Sequence, residues 1–335
     1  MPASSFRPAI GVVGAGRNGL ALAHVIGGAG HPVVLFTTLP ERAEALRATG
    51  AYPSVLPELE RLHPSVEITT DPEVLAARCT IILLTVSSEY FLPVLRLLGN
   101  VLDGAHAVVH AVHSLEGPDL LRTSQLIGRY TSVRVVGAMA GPTHVLELLS
   151  GRPNAMVIGS AFHRVVERCQ EVLESPGLQV VGNKDIVGVE LAASLGQVIA
   201  IAVGISDGLG LGAANHAVIV ARGLTEMAEV GERAGGAART FSGLAGIGRL
   251  VDIIRRGEPN YQLGKRIATD HDPVATVAAA PPEALGVAVL RALQAYGERH
   301  GVEMPLVTCL CDIVSGRTAP AEGLATYARR HRAYE

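Results

Sequence analysis

Apolar residues fall into two regimes along this chain. Through Lys184, short apolar runs at 9–13, 32–37, 66–69, 80–86, 105–109, 133–138 and 154–158 alternate with segments of helical period. Short strands separated by amphipathic helices are the rhythm of βαβ units, which bury a mostly parallel sheet between helical layers. Beyond Lys184 the strand-like runs stop. Residues 185–335 form long, alanine-rich segments of helical period, broken at Gly208-Leu209-Gly210-Leu211-Gly212, Gly235-Gly236 and Pro281-Pro282. The pattern predicts a doubly wound α/β domain over 1–184 and an all-helical domain over 185–335, with an active site in the cleft where they meet. No internal repeat or low-complexity tract disturbs that division.

The first run carries the sharpest local signal. In Ile10-Gly11-Val12-Val13-Gly14-Ala15-Gly16-Arg17-Asn18-Gly19-Leu20 a strand breaks on spaced glycines and resumes as an amphipathic helix. That is the spacing of a Rossmann dinucleotide turn. Gly14 would make the tight turn, Gly16 would let the backbone approach a pyrophosphate, and Gly19 would let helix and strand pack closely. Arg17 and Asn18 start the helix whose N-terminal N–H groups would receive the phosphate charge. Val86, at the end of the fourth run, is placed with them. Cofactor choice is read at Phe36-Thr37-Thr38-Leu39-Pro40-Glu41-Arg42, where no acid stands at 36–38 to bind a ribose 2′-OH. Thr37, Thr38 and Arg42 instead suit a 2′-phosphate, so NADP is expected, with Glu41 keeping NAD open.

Composition narrows the partners. The chain has 335 residues, 48% hydrophobic and 18% charged, with a net charge of -3. It is long enough for two domains with a large core. Lys and Arg are scattered and not striped, which points away from nucleic acid and toward a small-molecule substrate. Met1 to Ile10 lack a basic start and an apolar stretch, so no targeting peptide is expected and the cytoplasm is inferred. The most apolar segment, 187–205, is interrupted by Glu190, Ser194 and Gln197, as a buried helix would be and a membrane span would not. Cys79, Cys169 and the Cys309-x-Cys311 pair make neither a disulfide framework nor a metal set, so no metal is expected. A homodimer is left open.

The second half carries further text: Gly188-Val189-Glu190-Leu191-Ala192, Val198-Ile199-Ala200-Ile201-Ala202, Gly204-Ile205-Ser206-Asp207-Gly208-Leu209-Gly210-Leu211-Gly212, Arg222-Gly223-Leu224-Thr225-Glu226-Met227 and Thr240-Phe241-Ser242-Gly243-Leu244-Ala245-Gly246-Ile247-Gly248. With Gly14-Ala15-Gly16 and Gly141-Pro142-Thr143, in this order and spacing, the chain resembles the NAD(P)-dependent glycerol-3-phosphate dehydrogenase family. The resemblance implies a Rossmann domain followed by an all-α domain of the 6-phosphogluconate-dehydrogenase-like type, and hydride transfer between a nicotinamide and a carbonyl or alcohol carbon. It also exposes departures. A family lysine after the fifth strand, in an A-T-K-G-L-E type segment, corresponds to His113. The principal catalytic lysine and the asparagine of A-L-K-N correspond to Gly196 and Gln197. The aspartate of G-L-G-D corresponds to Arg249. The R-N pair that grips the substrate phosphate appears as Pro259-Asn260, and the family's G-D-N has become Gly212-Ala213-Ala214.

These departures concern specific chemistry. A lysine beside a carbonyl donates a proton to the developing alkoxide, and an arginine fork binds a phosphate dianion as proline cannot. His113 is the candidate proton donor, against a loop histidine bonded to backbone. Gln197 can orient a carbonyl but not protonate it, and Asn260 and Thr240 occupy surviving motif positions. Arg249 either holds a carboxylate of the substrate or pairs with Glu190 or Asp252. Thr143 and His144 follow the Gly141-Pro142 turn and could face a substrate. His110 and His216 read as structural. Lys184 and Lys265, the chain's two lysines, match no catalytic position. Three readings stand: a reductase of a ketone or imine other than dihydroxyacetone phosphate, a nucleotide-binding pseudoenzyme, and a true glycerol-3-phosphate dehydrogenase.

Overall fold

The structure is a computed structural model that describes residues 8–270 and 272–329. The residues before Pro8, on which the absence of a leader was read, lie outside this set. Among the described residues ten strands are formed: Ala9–Val13 (β1), Val33–Phe36 (β2), Val66–Thr69 (β3), Cys79–Leu84 (β4), Ala107–His110 (β5), Leu115–Glu116 (β6), Leu121–Arg122 (β7), Val135–Ala140 (β8), Asn154–Gly159 (β9) and Leu178–Asn183 (β10). Eight of them make one sheet in the order β10-β9-β8-β5-β4-β1-β2-β3. All its pairings are parallel except β8 with β9. The chain winds outward from β1 through β2 to β3, then returns to β4 on the other side of β1. The order therefore reverses between β1 and β4, where open α/β sheets receive their ligands.

Alternate positions Ile10 and Val12, Val33 and Leu35, Ile81 and Leu83, and Met156 and Ile158 enter one core cluster with Leu20, Ala21 and Ile26 and with Val165, Cys169 and Val172. These partners come from helix Arg17–Gly28 (α1) and helix His163–Leu173. The intervening Val34, Phe36, Ile82 and Leu84 are buried as well. A sheet covered on both faces explains why its strands read as continuous apolar runs. Gly19 sets the spacing of α1 on the sheet, since a Cβ there would stand 1.8 Å from the Gly14 carbonyl oxygen.

The chain divides into two compact units, one running to Val112 and resuming over Thr123–Ile186, the other comprising His113–Arg122 and the chain from Val187 onward. The boundary expected at 184 is thus crossed once. Residues 113–122 form the antiparallel β6–β7 ribbon, and the Arg122 guanidinium stands 3.4 Å from the buried Glu190 carboxylate of the second unit. The second unit is built around helix Ile186–Gly208, in which every residue from Gly188 to Ser206 is buried. Among the described residues this is the one helix long and apolar enough to cross a membrane, and 89% of its apolar window is buried inside the protein. It is a core helix. Helix Pro259–Thr269 crosses it at touching backbones, because a Cβ on Gly204 would lie 2.1 Å from the Tyr261 carbonyl and one on Gly264 would lie 2.1 Å from that of Ile201.

Burial, followed by the neighbouring His63 whose ring stands edge-on at 6.5 Å, holds the His24 imidazole below its ordinary value. A group that resists protonation in the fold but not in the unfolded chain costs stability once the unfolded chain takes up the proton. Urea denaturation midpoints are therefore expected to fall as pH drops from 7.5 through the ordinary histidine value of 6.5. A His24→Leu variant should show a shallower fall over the same range. Identical slopes for parent and variant would contradict this assignment.

Candidate active site

The glycine turn is pinned by backbone on both sides. The Gly14 N–H donates to the Phe36 carbonyl at 2.9 Å, and the Thr85 hydroxyl donates to the Val13 carbonyl at 2.9 Å. Gly14 has φ +107°, and a Cβ on it would press on Val86. Gly16 differs. Its φ of −82° suits any residue, and a Cβ there would meet nothing within 4 Å. No side chain caps α1 and no acid stands in its first turn. An uncapped helix start facing open space at a glycine has the chemistry that would suit an anion such as a dinucleotide pyrophosphate.

The remaining cofactor candidates take distinct positions. The Thr37 side chain is buried, and its hydroxyl accepts from the Leu39 N–H at 3.3 Å, fixing the entry to helix Pro40–Thr49 (α2). Thr38 and Asn18 are exposed. Arg17 turns to the segment after α2, donating to the Val55 carbonyl at 3.0 Å and pairing with Glu58 at 3.3 Å. The Glu58 carboxyl is held below the ordinary carboxylate range, first by its own backbone N–H and further by Arg17. Arg42 donates from Nη1 to the Ala15 carbonyl at 3.1 Å, with its guanidinium 5.0 Å from the centroid of the Tyr52 ring. The Thr143 hydroxyl is committed to the Ala155 carbonyl at 2.7 Å. The His144 N–H donates to the Asn154 side chain at 3.0 Å, where His144 opens helix Val145–Leu149.

In the second unit the three catalytic candidates are joined. The Gln197 amide donates from Nε2 to the His113 carbonyl at 3.0 Å and accepts on Oε1 from the Asn260 Nδ2 at 3.2 Å. The Asn260 Oδ1 in turn accepts from the Gly286 N–H at 2.8 Å. Gln197 and Asn260 are buried at 6% and 5% exposure, so the chain of bonds fixes both amide orientations. Beside Gln197, the nearest atom to a Cβ on Gly196 would be the Leu250 Cβ at 4.0 Å. There is room for a side chain, and the sequence supplies none.

Arg249 pairs with Asp252, one of the partners expected for it, and with Glu258, which was not expected. Its guanidinium makes a fork with both Glu258 oxygens at 2.7 and 2.8 Å and reaches Asp252 at 3.1 Å. Asp252 also accepts from the Arg256 Nε at 2.5 Å. Glu190, the other expected partner, faces Arg122. Sequence reading missed Glu258 because it lies beyond the end of helix Arg249–Arg256, outside the i,i+4 spacing that marks helical ion pairs. Thr240 is buried at 3% exposure in the short helix Ala238–Phe241. The wide turn Leu244–Gly248 follows, closed by the Gly248 N–H to the Gly243 carbonyl at 3.1 Å. Lys184 and Lys265 are both exposed, the latter with its ammonium 6.0 Å above the Tyr261 ring. Among the described residues no cluster of His, Cys, Asp and Glu could hold a metal.

A glycine-turn nucleotide site on a doubly wound sheet, followed by a helical unit carrying a polar cluster, defines a nicotinamide-dependent oxidoreductase. The family described as NAD-dependent glycerol-3-phosphate dehydrogenase matches through its N-terminus at residues 9–166 and its C-terminus at 185–325. The chain is 32% identical to the glycerol-3-phosphate dehydrogenase [NAD(P)+] of Moorella thermoacetica over 98% of each chain. It is 33% identical to glycerol-3-phosphate dehydrogenase [NAD(P)+] 1 of Salinibacter ruber over 96% of each. The crystal structure of glycerol-3-phosphate dehydrogenase from Coxiella burnetii superposes with a TM-score of 0.87 at 26% identity, covering 97% of this chain and all of that one. The chain belongs to the glycerol-3-phosphate dehydrogenase family and is an NAD(P)-dependent oxidoreductase.

Proposed function

We propose that this chain reduces a ketone or imine other than dihydroxyacetone phosphate. The observation that carries the reading is the state of Arg249, a guanidinium whose charge is already met by Glu258 and Asp252. Pro259, next to Asn260, supplies no fork in its place to grip a phosphate dianion. Gly196 likewise leaves the proton donor's place empty.

The bound nicotinamide supplies or accepts the hydride. Gly14, Gly16 and Gly19 would hold its pyrophosphate on the first N–H groups of α1. Gln197 and Asn260, fixed by their mutual hydrogen bond, are polar supports for a substrate and carry no titratable proton. His113, tied to Gln197 through its carbonyl, has the group able to donate a proton to the oxygen or nitrogen that gains charge. Burial pushes the Cys79 and Cys169 thiols up to about 12, so neither is a nucleophile for this chemistry.

Assays of NADPH oxidation against a panel of non-phosphorylated ketones and cyclic imines test the reading, with turnover expected on at least one class. His113→Asn should then lower the rate by a factor of about 10² to 10⁴ and leave coenzyme affinity unchanged. Coenzyme binding with no turnover on any carbonyl or imine would contradict the proposal and favour a nucleotide-binding pseudoenzyme.

A further inference from the structure

We propose that Tyr52 is a positioning residue that holds Arg42 for the ribose 2′-phosphate, so that the segment following α2 sets a preference for NADPH over NADH. The ribose 2′ position of a bound dinucleotide lies at the carboxyl end of the second strand, where an acid marks NAD and a nearby arginine marks NADP. Here β2 ends at Phe36 and the next residues are threonines, so no acid is offered there. Arg42 reaches this place from the first turns of α2. Its Nη1 is fixed on the Ala15 carbonyl, inside the glycine turn, at 3.1 Å. Its Nε–H is buried and has no hydrogen-bond partner. Buried donors are rarely left unsatisfied, and a guanidinium with one corner bonded still has an edge that matches two oxygens of a phosphate.

What keeps that edge in place is the Tyr52 ring, 5.0 Å from the guanidinium carbon. The ring is itself anchored. The Tyr52 carbonyl accepts from the Val55 and Leu56 N–H groups at 3.0 and 3.1 Å, and the Leu62 N–H donates to the Gly50 carbonyl at 2.7 Å. Leu56, Leu59 and Leu62 bury the segment in the core of the first unit. A planar cation stacked on a fixed aromatic face loses little freedom when it binds an anion, whereas an unstacked arginine must give up several rotamers. The inference rests on the reading of Arg42 as the 2′-phosphate ligand, and the experiment separates the two.

Calorimetric titration of NADPH, NADH and adenosine 2′,5′-bisphosphate into folded parent and variants provides the test. Arg42→Ala is expected to weaken NADPH and the bisphosphate by about 100-fold and NADH by less than about twofold. Tyr52→Leu should weaken NADPH and the bisphosphate by about tenfold, again sparing NADH, and Tyr52→Phe should bind as the parent does because the ring face is retained. Parent-like NADPH affinity in Tyr52→Leu alongside a selective loss in Arg42→Ala would overturn the role of Tyr52 and keep that of Arg42. Equal losses for NADPH and NADH in Tyr52→Leu would show a merely structural residue. Unchanged NADPH binding in Arg42→Ala would overturn both.

Discussion

A Gly16→Asp variant is expected to fold at least as well as the parent and to lose coenzyme binding. The two halves of that expectation come from the same position. Gly16 has ordinary backbone angles and open space where a Cβ would stand, so no strain or clash attends the substitution. It also occupies the N-cap of α1, where aspartate is among the best residues and improves on glycine by only about a few tenths of a kcal/mol. Nothing in the protein itself therefore calls for a glycine there. A dinucleotide does, because its pyrophosphate must come close to the backbone, and a carboxylate in that space both fills it and repels it. NADPH and NADH affinity should fall by more than about 100-fold while the denaturation midpoint holds or rises. Parent-like affinity would remove the glycine turn from the cofactor site.

Restoring a lysine by Gly196→Lys is expected to give a stable protein that still fails on dihydroxyacetone phosphate. The nearest side-chain atom to a Cβ at 196 is 4.0 Å away, so the first atoms of the new side chain are accommodated. Its ammonium would lack a carboxylate of its own, since Glu258 and Asp252 are engaged by Arg249 and Asp252 also by Arg256. Because Arg249 is neutralised by these partners, direct repulsion is a smaller obstacle than the residue's charge alone suggests. The missing phosphate grip is the larger one. The gain over the parent should stay below about tenfold, against the factor of about 10² to 10⁴ that a competent proton donor provides. Adding Pro259→Arg to the lysine variant should raise turnover further than either change alone, as groups acting on one transition state do.

Local signals were legible where one period governs. The glycine turn, the central strands and the buried character of helix Ile186–Gly208 follow from apolar runs and from Glu190, Ser194 and Gln197 within an otherwise apolar segment. Strand ends shifted by a residue or two, as with β5 at Ala107–His110 where 105–109 was expected. Edge features were not legible. Strand β10, Leu178–Asn183, mixes Gln179 and Gly182 into its run and pairs on one side only, so it lacks the continuous apolar signature of a central strand. The antiparallel pairing of β8 with β9 follows a connection over 141–153 that carries the one-turn helix Val145–Leu149 and has no periodic mark for strand direction. The β6–β7 ribbon is held to the second unit by the Arg122–Glu190 pair, across a separation that no local pattern encodes.

The same divide applies to the site. His113, Gln197 and Asn260 were separate candidates in the sequence, and their hydrogen-bonded chain is a product of the backbone contact of Gly204 and Gly264 that brings the two helices together. Arg249's partner Glu258 and Arg42's support Tyr52 were missed for one reason. Both partners lie outside the helix that carries the arginine, so their pairing is tertiary.

The central claim, that this family member has left glycerol 3-phosphate chemistry, is tested most directly by following NADPH and NADH oxidation with saturating dihydroxyacetone phosphate, beside an ordinary family member under the same conditions. With glycine at 196 and proline at 259 where the family resemblance expects a lysine and an arginine, turnover is expected to lie at least about 10³-fold below that of the ordinary enzyme. Turnover within about tenfold of it would contradict the account, and would mean that His113 or another group performs the lysine's task for the original substrate.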